Sequence, residues 1–228
     1  LEKVVVADIV GLVLLIGVEL LRALRCAAQN RILRKKIYLD EATGLPNKNK
    51  CEEILSDPTP LGEEESTAVC VFDLNNLRII NNNLGHDKGD EYIRSFAEQL
   101  RLAVDPENFV GRDGGDEFIA IFQKTDHSKM RETLKKIRTQ MENYSAKHPE
   151  MPISYAAGYA ISLDFAGSTL RDLFRLADKN MYVDKNRAKI EEAAQKQQKA
   201  YELLEWIKKE KYHFSDCLYC DALMDQYE

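Results

Sequence analysis

The residues best suited to chemistry lie in a glycine-rich turn between two apolar stretches. Residues 111–122 read GRDGGDEFIAIF. The turn carries two adjacent glycines followed by two acids: Gly114, Gly115, Asp116 and Glu117. Adjacent glycines adopt backbone conformations that other residues avoid, so a ligand can approach the main chain closely. Taken alone, the segment is as typical of an ordinary β-hairpin tip as of a binding loop, because Asp and Gly are common in both.

A third carboxylate, that of Asp73, ends the apolar stretch TAVCVFD, whose β-branched and aromatic residues favour a central strand. Ligands commonly bind at the carboxyl ends of strands in α/β sheets. If this strand neighbours the hairpin, Asp73, Asp116 and Glu117 converge, and their oxygens suit one or two hard cations such as the Mg²⁺ that accompanies triphosphates. A calcium loop is the rival interpretation, but Leu77 and Arg78 stand where such a loop needs a liganding side chain and a glycine.

Hydrophobic periodicity predicts the elements that must position these acids. Two of the predicted strands are joined by the tight turn at 113–116, while strands and helices otherwise alternate. The class is therefore α/β or α+β, and we predict a mixed central β-sheet flanked by helices. The predicted strands are 67–73, 109–112, 117–122 and 153–161, and the predicted helices are 91–102, 130–144, 170–183 and 190–207.

The composition limits the class of protein. A chain of 228 residues has room for one domain with flanking segments, and a hydrophobic content of 44% is enough to fill a core. A net charge of -6 argues against general binding to duplex nucleic acid, which needs an excess of Lys and Arg. The 5 cysteines, an odd number, favour a reducing compartment.

An apolar segment precedes the predicted domain. Residues 4–21 read VVVADIVGLVLLIGVELL, and as a helix they span roughly 27 Å, close to the hydrocarbon thickness of a bilayer. The acids Asp8 and Glu19 lie near its ends, where they cost least in a membrane. The alternative is a coiled-coil helix of a soluble dimer, in which both acids face water.

A run of Arg and Lys over residues 22–36 follows this segment without an interrupting acid. By the positive-inside rule, this charge places the rest of the chain in the cytoplasm. We therefore predict a transmembrane or membrane-proximal helix over 1–24, a juxtamembrane signalling helix over 25–39, and location at the inner or cytoplasmic membrane.

Four segments occur in an order and spacing that resemble the GGDEF domain of diguanylate cyclases. They are DEATGLPNK, FDLNNLRIINNNLGHDKGD, GRDGGDEF and ADKNMYVDK. The resemblance spans residues 40–189 and leaves a helical C-terminal extension over 190–228. It implies a mixed sheet surrounded by helices, related to the palm of polymerases and class III nucleotide cyclases. The implied reaction condenses two GTP into cyclic di-GMP and releases two pyrophosphates.

The resemblance also implies roles for individual residues. Asp73, the Leu74 carbonyl, Asp116 and Glu117 match the positions that bind Mg²⁺ or Mn²⁺. Asp116 and Glu117 additionally match the acids that support attack by the 3′-hydroxyl. Asn81 matches a position that recognises guanine. The remaining matches to substrate-binding positions are Asp90 for guanine, Gly114 and Gly115 in the signature turn, and Arg78, Lys185 and Lys189 for the phosphates.

The sequence departs from the family pattern at a few positions. Asn75 and Leu77 replace the more usual Asp and Phe, and Lys189 stands where a phosphate-binding arginine is expected. Asp105 and Asn108 occupy the positions of the Arg and Asp of the usual inhibitory product site, so we predict that this chain has no inhibitory site.

The leading hypothesis is a membrane-tethered diguanylate cyclase. Each domain binds one GTP, so a second GGDEF protomer is needed, and a homodimer is expected. The alternative is a catalytically inactive module that binds GTP or cyclic di-GMP and regulates a partner. A related cyclase acting on ATP is disfavoured by Asp90, because adenine lacks the N–H groups that a carboxylate accepts from guanine.

Overall fold

Helices and strands are interspersed along the chain. The structure is a computed structural model that describes residues 16–26, 37–62 and 66–209, and residues 16–26 are helical. The helices are α1 (Lys48–Leu55), α2 (Leu77–Leu84), α3 (His86–Ala103), α4 (His127–Lys147) and α5 (Leu170–Lys209). The strands are β1 (Thr67–Leu74), β2 (Phe109–Arg112), β3 (Glu117–Gln123) and β4 (Tyr155–Ile161), and a 3-10 turn covers Ser162–Asp164.

The strands of the described residues form one sheet in the order β2-β3-β1-β4, and every adjacent pair is antiparallel. A central sheet flanked by helices was predicted and is confirmed, but the prediction of a mixed sheet is wrong. The helical crossovers do connect strands of the same direction, β1 to β2 and β3 to β4. In each case another strand is inserted between the two, as in a split βαβ unit, so no parallel pair is hydrogen-bonded.

Each face of the sheet is covered by helices and has its own apolar core. On one face, α3 and α4 pack against side chains such as Phe72 and Phe118, and the rings of Phe96 and Phe118 lie 4.9 Å apart, edge to face. On the other face, α1 and α5 pack against Val71 and Ile119. Because side chains alternate along a strand, Asp73 projects from the same face as Val71, and Glu117 from the same face as Ile119, which is the face that carries α1 and α5.

Local sequence explains several helix boundaries. The side chain of Asn47 accepts a hydrogen bond from the Lys50 amide at the start of α1, and Asp126 does the same for Lys129 in α4. Helix α3 begins earlier than predicted, directly after Gly85, whose φ of 90° favours glycine. The helices predicted at 170–183 and 190–207 are parts of the single helix α5.

The chain divides into two compact units, residues 1–184 and 185–228. Of the predicted N-terminal helices, residues 1–15 and 27–36 lie outside the described residues, as do residues 210–228 of the C-terminal extension. Within the described ranges, no helix combines the length and apolar character needed to cross a membrane.

Candidate nucleotide and metal site

Asp73 and Glu117 lie directly opposite each other in the antiparallel pairing of β1 with β3. Opposed residues project their side chains from the same face, so both carboxylates belong to one end of the sheet. Asp73 is buried, with a relative exposure of 6%. The pairing continues past the strand end, because the Leu74 amide donates to the Asp116 carbonyl at 2.9 Å. The end of β1 is therefore joined to the turn that carries the signature acids.

The neighbouring acids make Glu117 harder to ionise. Burial raises the pKa of Glu117, and the negative charges of Asp116 and Asp73 raise it further. Burial also raises the pKa of Asp113, whose Oδ1 atom is buried without a hydrogen-bond partner. A positive charge bound among these groups would relieve the repulsion.

The donor set at this end of the sheet fits a hard divalent cation. Asp73, Asp116 and Glu117 offer carboxylate oxygens, and Leu74 offers a backbone carbonyl, which are the oxygen ligands that Mg²⁺ prefers. Across the part of the chain that the structure describes, no group of three or more His, Cys, Asp or Glu side chains is already arranged to hold a metal ion. The oxygens are thus of the right chemistry, while their arrangement as a complete ligand group is not preformed.

Arg112 holds the glycine turn in place. Its Nε atom donates to the Gly114 carbonyl at 3.1 Å, and its Nη2 atom donates to the Gly115 carbonyl at 2.8 Å. A backbone hydrogen bond also closes the turn: the Asp113 amide donates to the Glu117 carbonyl at 2.9 Å. The carbonyls of both glycines are therefore fixed before any ligand binds.

The same guanidinium reaches the segment that precedes α1. Arg112 Nη1 lies 3.0 Å from Asp40 Oδ1, and the Arg112 amide donates to the Pro46 carbonyl at 2.8 Å. Asp40 also accepts hydrogen bonds from the Thr43 amide and hydroxyl, at 2.9 and 2.7 Å. Burial alone raises the pKa of Asp40, but the hydrogen bonds from Thr43 and Arg112 bring it below its ordinary value.

The two residues proposed to recognise guanine lie on successive helices, Asn81 on α2 and Asp90 on α3. A Cβ atom at Gly89 would overlap Asn81 Oδ1, so the Asn81 carboxamide lies directly against the backbone beside Asp90. The side chain of Asp90 is exposed. The structure thus brings these two residues together. Arg78 is exposed on α2, and Lys185 and Lys189 belong to the unit 185–228.

The position of the usual inhibitory site lies at the far end of the β2–β3 hairpin from the glycine turn. There Asp105 pairs with Lys136 at 3.0 Å. A cavity of about 620 Å³ adjoins this pair, and Lys124, Lys129 and Glu132 contribute to its lining. In place of the expected guanidinium, this surface carries an ion pair within the chain.

The sequence patterns did not indicate Arg112 or Asp40 as site residues. Arg112 lies in GRDGGDEF and Asp40 begins DEATGLPNK, but their roles depend on contacts between residues far apart in the chain. The neighbourhood of Asp40, DEATGLPNK, offered a partial signal, because Gly44 and Pro46 mark a turn.

The sequence pattern of the family described as "Diguanylate cyclase, GGDEF domain" matches residues 37–191. The chain belongs to this family. The resemblance predicted from the four segments is therefore confirmed, and the GGDEF domain contains β1, the signature turn and both helices that carry Asn81 and Asp90.

Solved structures of GGDEF domains have the same fold. The GGDEF domain of DgcB from Caulobacter crescentus in complex with c-di-GMP is 25% identical, with a TM-score of 0.57 over 65% of this chain and 90% of that one. The coiled coil and GGDEF domain of DgcB, at 23% identity, gives a TM-score of 0.65 over 75% of this chain and 92% of that one.

Curated relatives carry differing names. The cyclic di-GMP phosphodiesterase PdeR of Escherichia coli is 26% identical over 159 residues, which are 69% of this chain and 24% of PdeR. The diguanylate cyclase DgcP of Pseudomonas aeruginosa is 25% identical over 151 residues, which are 65% of this chain and 22% of DgcP. This chain thus spans about a quarter of the length of these relatives.

Proposed function

We propose that this GGDEF domain is a diguanylate cyclase that condenses two GTP into cyclic di-GMP and releases two pyrophosphates. The observation that carries the proposal is the direct opposition of Asp73 and Glu117 across β1 and β3, beside an intact signature turn. Two opposed acids, one of them buried, beside a glycine turn suit a metal ion that accompanies a triphosphate. The family membership of residues 37–191 supports the same reaction.

Mg²⁺ or Mn²⁺ is the cofactor that this reaction requires. Asp73, Asp116 and Glu117, with the Leu74 carbonyl, are the groups that would hold it. When bound, the ion neutralises charge developing on the α-phosphate and lowers the pKa of the attacking hydroxyl.

The residues of the chain supply binding, orientation and proton transfer. Glu117, whose pKa is raised by burial and by the neighbouring acids, is suited to accept the proton of the 3′-hydroxyl. The Asp90 carboxylate accepts hydrogen bonds from the N–H groups of guanine, and the Asn81 carboxamide hydrogen-bonds to the edge of the same base. The backbone of Gly114 and Gly115 allows the triphosphate to lie close to the main chain. Arg78, Lys185 and Lys189 supply the positive charge for the phosphates.

Catalysis in this proposal requires two protomers. A single domain has one set of guanine-binding and metal-binding groups, whereas the product contains two nucleotides joined by two phosphodiester bonds. A homodimer in which two GTP-loaded domains face each other satisfies this requirement.

Product identification tests the proposal. The purified chain is incubated with GTP and Mg²⁺, and the products are separated and identified by mass spectrometry. We expect cyclic di-GMP and pyrophosphate from the wild-type chain and none from Glu117→Gln. The matched control is Glu98→Gln, which changes an exposed acid on α3 and should retain activity. Equal synthesis by Glu117→Gln and wild type would contradict the proposed site.

The second candidate is a catalytically inactive module that binds GTP or cyclic di-GMP and regulates a partner. Asn75, Leu77 and Lys189 depart from the family pattern, which favours this candidate. It predicts saturable binding of guanine nucleotide without turnover. The product assay above separates the two candidates.

We also propose that the protein lies at the inner or cytoplasmic membrane with its catalytic domain in the cytoplasm. The apolar residues 4–21 and the cations that follow them support this location. Cell fractionation tests it: the chain should remain with the membranes after a high-salt wash, and recovery in the wash would contradict the proposal.

A further inference from the structure

Tyr92 is a fully buried residue of α3 whose hydroxyl lies among backbone polar groups. The hydroxyl lies 3.2 Å from the Asn75 carbonyl and 3.1 Å from the Ser154 carbonyl, and it accepts a hydrogen bond from the Ser154 amide at 2.9 Å. Burial raises the pKa of Tyr92, so the hydroxyl keeps its one proton and donates it to one of these two carbonyls at a time. One side chain thus satisfies polar groups from two other segments.

Those two segments are also joined directly. The Asn75 amide donates to the Ser154 carbonyl at 2.9 Å, and Asn75 Nδ2 donates to Ser154 Oγ at 3.1 Å. Asn75 follows the last residue of β1, and Ser154 precedes the first residue of β4. The end of β1, the start of β4 and helix α3 therefore meet at the Tyr92 hydroxyl.

This junction fixes the turn that follows the proposed metal ligands. Asn76 has a left-handed backbone with φ 64°, which an Asn tolerates better than most residues but which still needs support from its surroundings. The Asn76 side chain makes no capping hydrogen bond at the start of α2. The support comes from the preceding residue, Asn75, whose amide, side chain and carbonyl are all held.

Leu74 lies between Asp73, which is buried, and Asn75, which is hydrogen-bonded to Ser154 and Tyr92. Its amide is fixed by the Asp116 carbonyl, and the residue after it is fixed by Tyr92 and Ser154. The direction of the Leu74 carbonyl, a proposed metal ligand, is therefore set from both sides. Tyr92 also stands two residues after Asp90 on the same helix.

We propose that Tyr92 is a positioning residue, whose hydroxyl holds the metal-binding end of β1 in place relative to the guanine-binding helix α3. The inference rests on the proposed function, because the metal and guanine roles of these neighbours come from it. Tyr92 itself touches neither substrate nor metal; it acts through Asn75 and Leu74.

Metal binding without turnover tests this inference. Mn²⁺ is titrated into the full chain in the presence of the unreactive analogue guanosine 5′-(α,β-methylene)triphosphate, and free Mn²⁺ is measured by electron paramagnetic resonance. Tyr92→Phe keeps the buried ring and removes the hydroxyl. We expect its Mn²⁺ affinity to fall roughly five- to tenfold, the effect of one or two lost hydrogen bonds. Its affinity for the analogue alone should be unchanged, because Asp90 and Asn81 remain.

The matched control is Tyr144→Phe. The Tyr144 hydroxyl donates to Ser95 Oγ on α3 at 2.8 Å, so this variant also removes a tyrosine hydrogen bond to the same helix, but away from Asn75. Its Mn²⁺ affinity should equal that of wild type. If Tyr92→Phe does not fold, Ser154→Ala removes only the hydroxyl that accepts from Asn75 Nδ2 and should weaken Mn²⁺ binding in the same direction.

Equal Mn²⁺ affinity in wild type and Tyr92→Phe, or an equal loss in Tyr144→Phe, would overturn the positioning role. If wild type binds Mn²⁺ with the analogue and loses affinity in Tyr92→Phe, yet makes no cyclic di-GMP from GTP, the positioning role stands and the proposed cyclase activity fails. A wild-type chain that binds no Mn²⁺ with the analogue would overturn both.

Discussion

Arg112 and Asp40 form an ion pair at 3.0 Å that joins the signature hairpin to the segment preceding α1. The side chain of Arg112 is only 14% exposed, and that of Asp40 is 23% exposed, so the pair is largely shielded from solvent. Because the other nitrogens of Arg112 hold the carbonyls of Gly114 and Gly115, a movement of the segment around Asp40 is transmitted to the turn through one rigid guanidinium group.

Replacing Arg112 should therefore loosen the turn. Arg112→Lys keeps the charge but cannot reach two carbonyls and a carboxylate at once, and we expect the initial rate of cyclic di-GMP synthesis to fall about tenfold or more. The control is Arg171→Lys, which alters a guanidinium bonded to Glu52 and Ser56 rather than to the turn. A rate in Arg112→Lys no lower than in this control would show that the turn does not need the guanidinium.

Gly89 should determine the preference for guanine. In Gly89→Ala the new methyl group overlaps Asn81 Oδ1, so the carboxamide must leave its place beside Asp90. We expect the ratio of GTP to ATP affinity to fall about tenfold, since a lost hydrogen bond to the base costs about 1 to 3 kcal/mol. Calorimetric titration with both nucleotides measures this ratio. Gly62→Ala, where a methyl group meets no atom within 4 Å, is the control and should keep the wild-type ratio.

Ionised Glu117 should lower the free energy of unfolding at neutral pH when no metal is present. Burial and the neighbouring acids raise the pKa of Glu117 above its ordinary value of 4.5, so the folded state favours the protonated form. Protonated Glu117 contributes its full share to the free energy of unfolding at a pH below 4.5, the ordinary pKa of the unfolded chain. This contribution is lost as the pH rises through the raised pKa of the folded state. Glu117→Gln removes this loss.

We therefore expect Glu117→Gln to melt at a higher temperature than wild type at pH 7 in the presence of a metal chelator. The difference should shrink below the ordinary pKa, and it should also shrink when Mg²⁺ is added to both proteins. Thermal unfolding followed by circular dichroism gives both comparisons. A lower melting temperature for Glu117→Gln at pH 7 would contradict the repulsion inferred among these acids.

Product inhibition should be purely competitive. Asp105 stands where the family's inhibitory arginine is found and pairs with Lys136, so this surface lacks the guanidinium that would bind a dinucleotide phosphate. Initial rates measured at several concentrations of GTP and cyclic di-GMP should share one maximal velocity. A noncompetitive pattern that disappears on mutating Asp105 would reveal an inhibitory site.

Gly158 should be essential for the packing of α5 on β4. A Cβ atom at this position would overlap the Met181 nitrogen and the Ala177 carbonyl, which belong to the helix backbone and cannot rotate away. We expect Gly158→Ala to lower the free energy of unfolding by about 3 kcal/mol, measured by urea denaturation. Gly62→Ala should change it by less than about 0.5 kcal/mol.

Local patterns predicted most of the strands but not their arrangement. The hairpin of β2 and β3 was located to within one residue, because apolar runs and turn residues specify it directly. Helices α1 and α2 were both missed, since each has only 8 residues. The continuity of α5 was missed because its apolar residues change face. The insertion of β1 between β3 and β4 pairs residues far apart in sequence. Local sequence patterns do not indicate which strands pair over such distances.

In the candidate site, too, local patterns predicted some residues, while others depend on tertiary packing. Asp73 and Glu117 were identified from strand ends and turn composition, and the register of the sheet places them opposite each other. The contacts of Arg112 with Asp40 and of Tyr92 with Ser154 depend on how α1, α3 and β4 pack. Arginine and tyrosine occur in too many other settings for their type alone to indicate these contacts.

Strand β4 forms one edge of the sheet in the described residues, and side chains occupy two of its backbone groups. The Ala157 amide donates to Asp184 Oδ2 at 3.1 Å, and Asn180 Nδ2 donates to the Tyr159 carbonyl at 2.9 Å. An incoming strand would have to displace both side chains before it could pair. This edge is therefore protected against strand addition and edge-to-edge aggregation, and two copies of the domain can crowd together at a high local concentration without merging their sheets along β4.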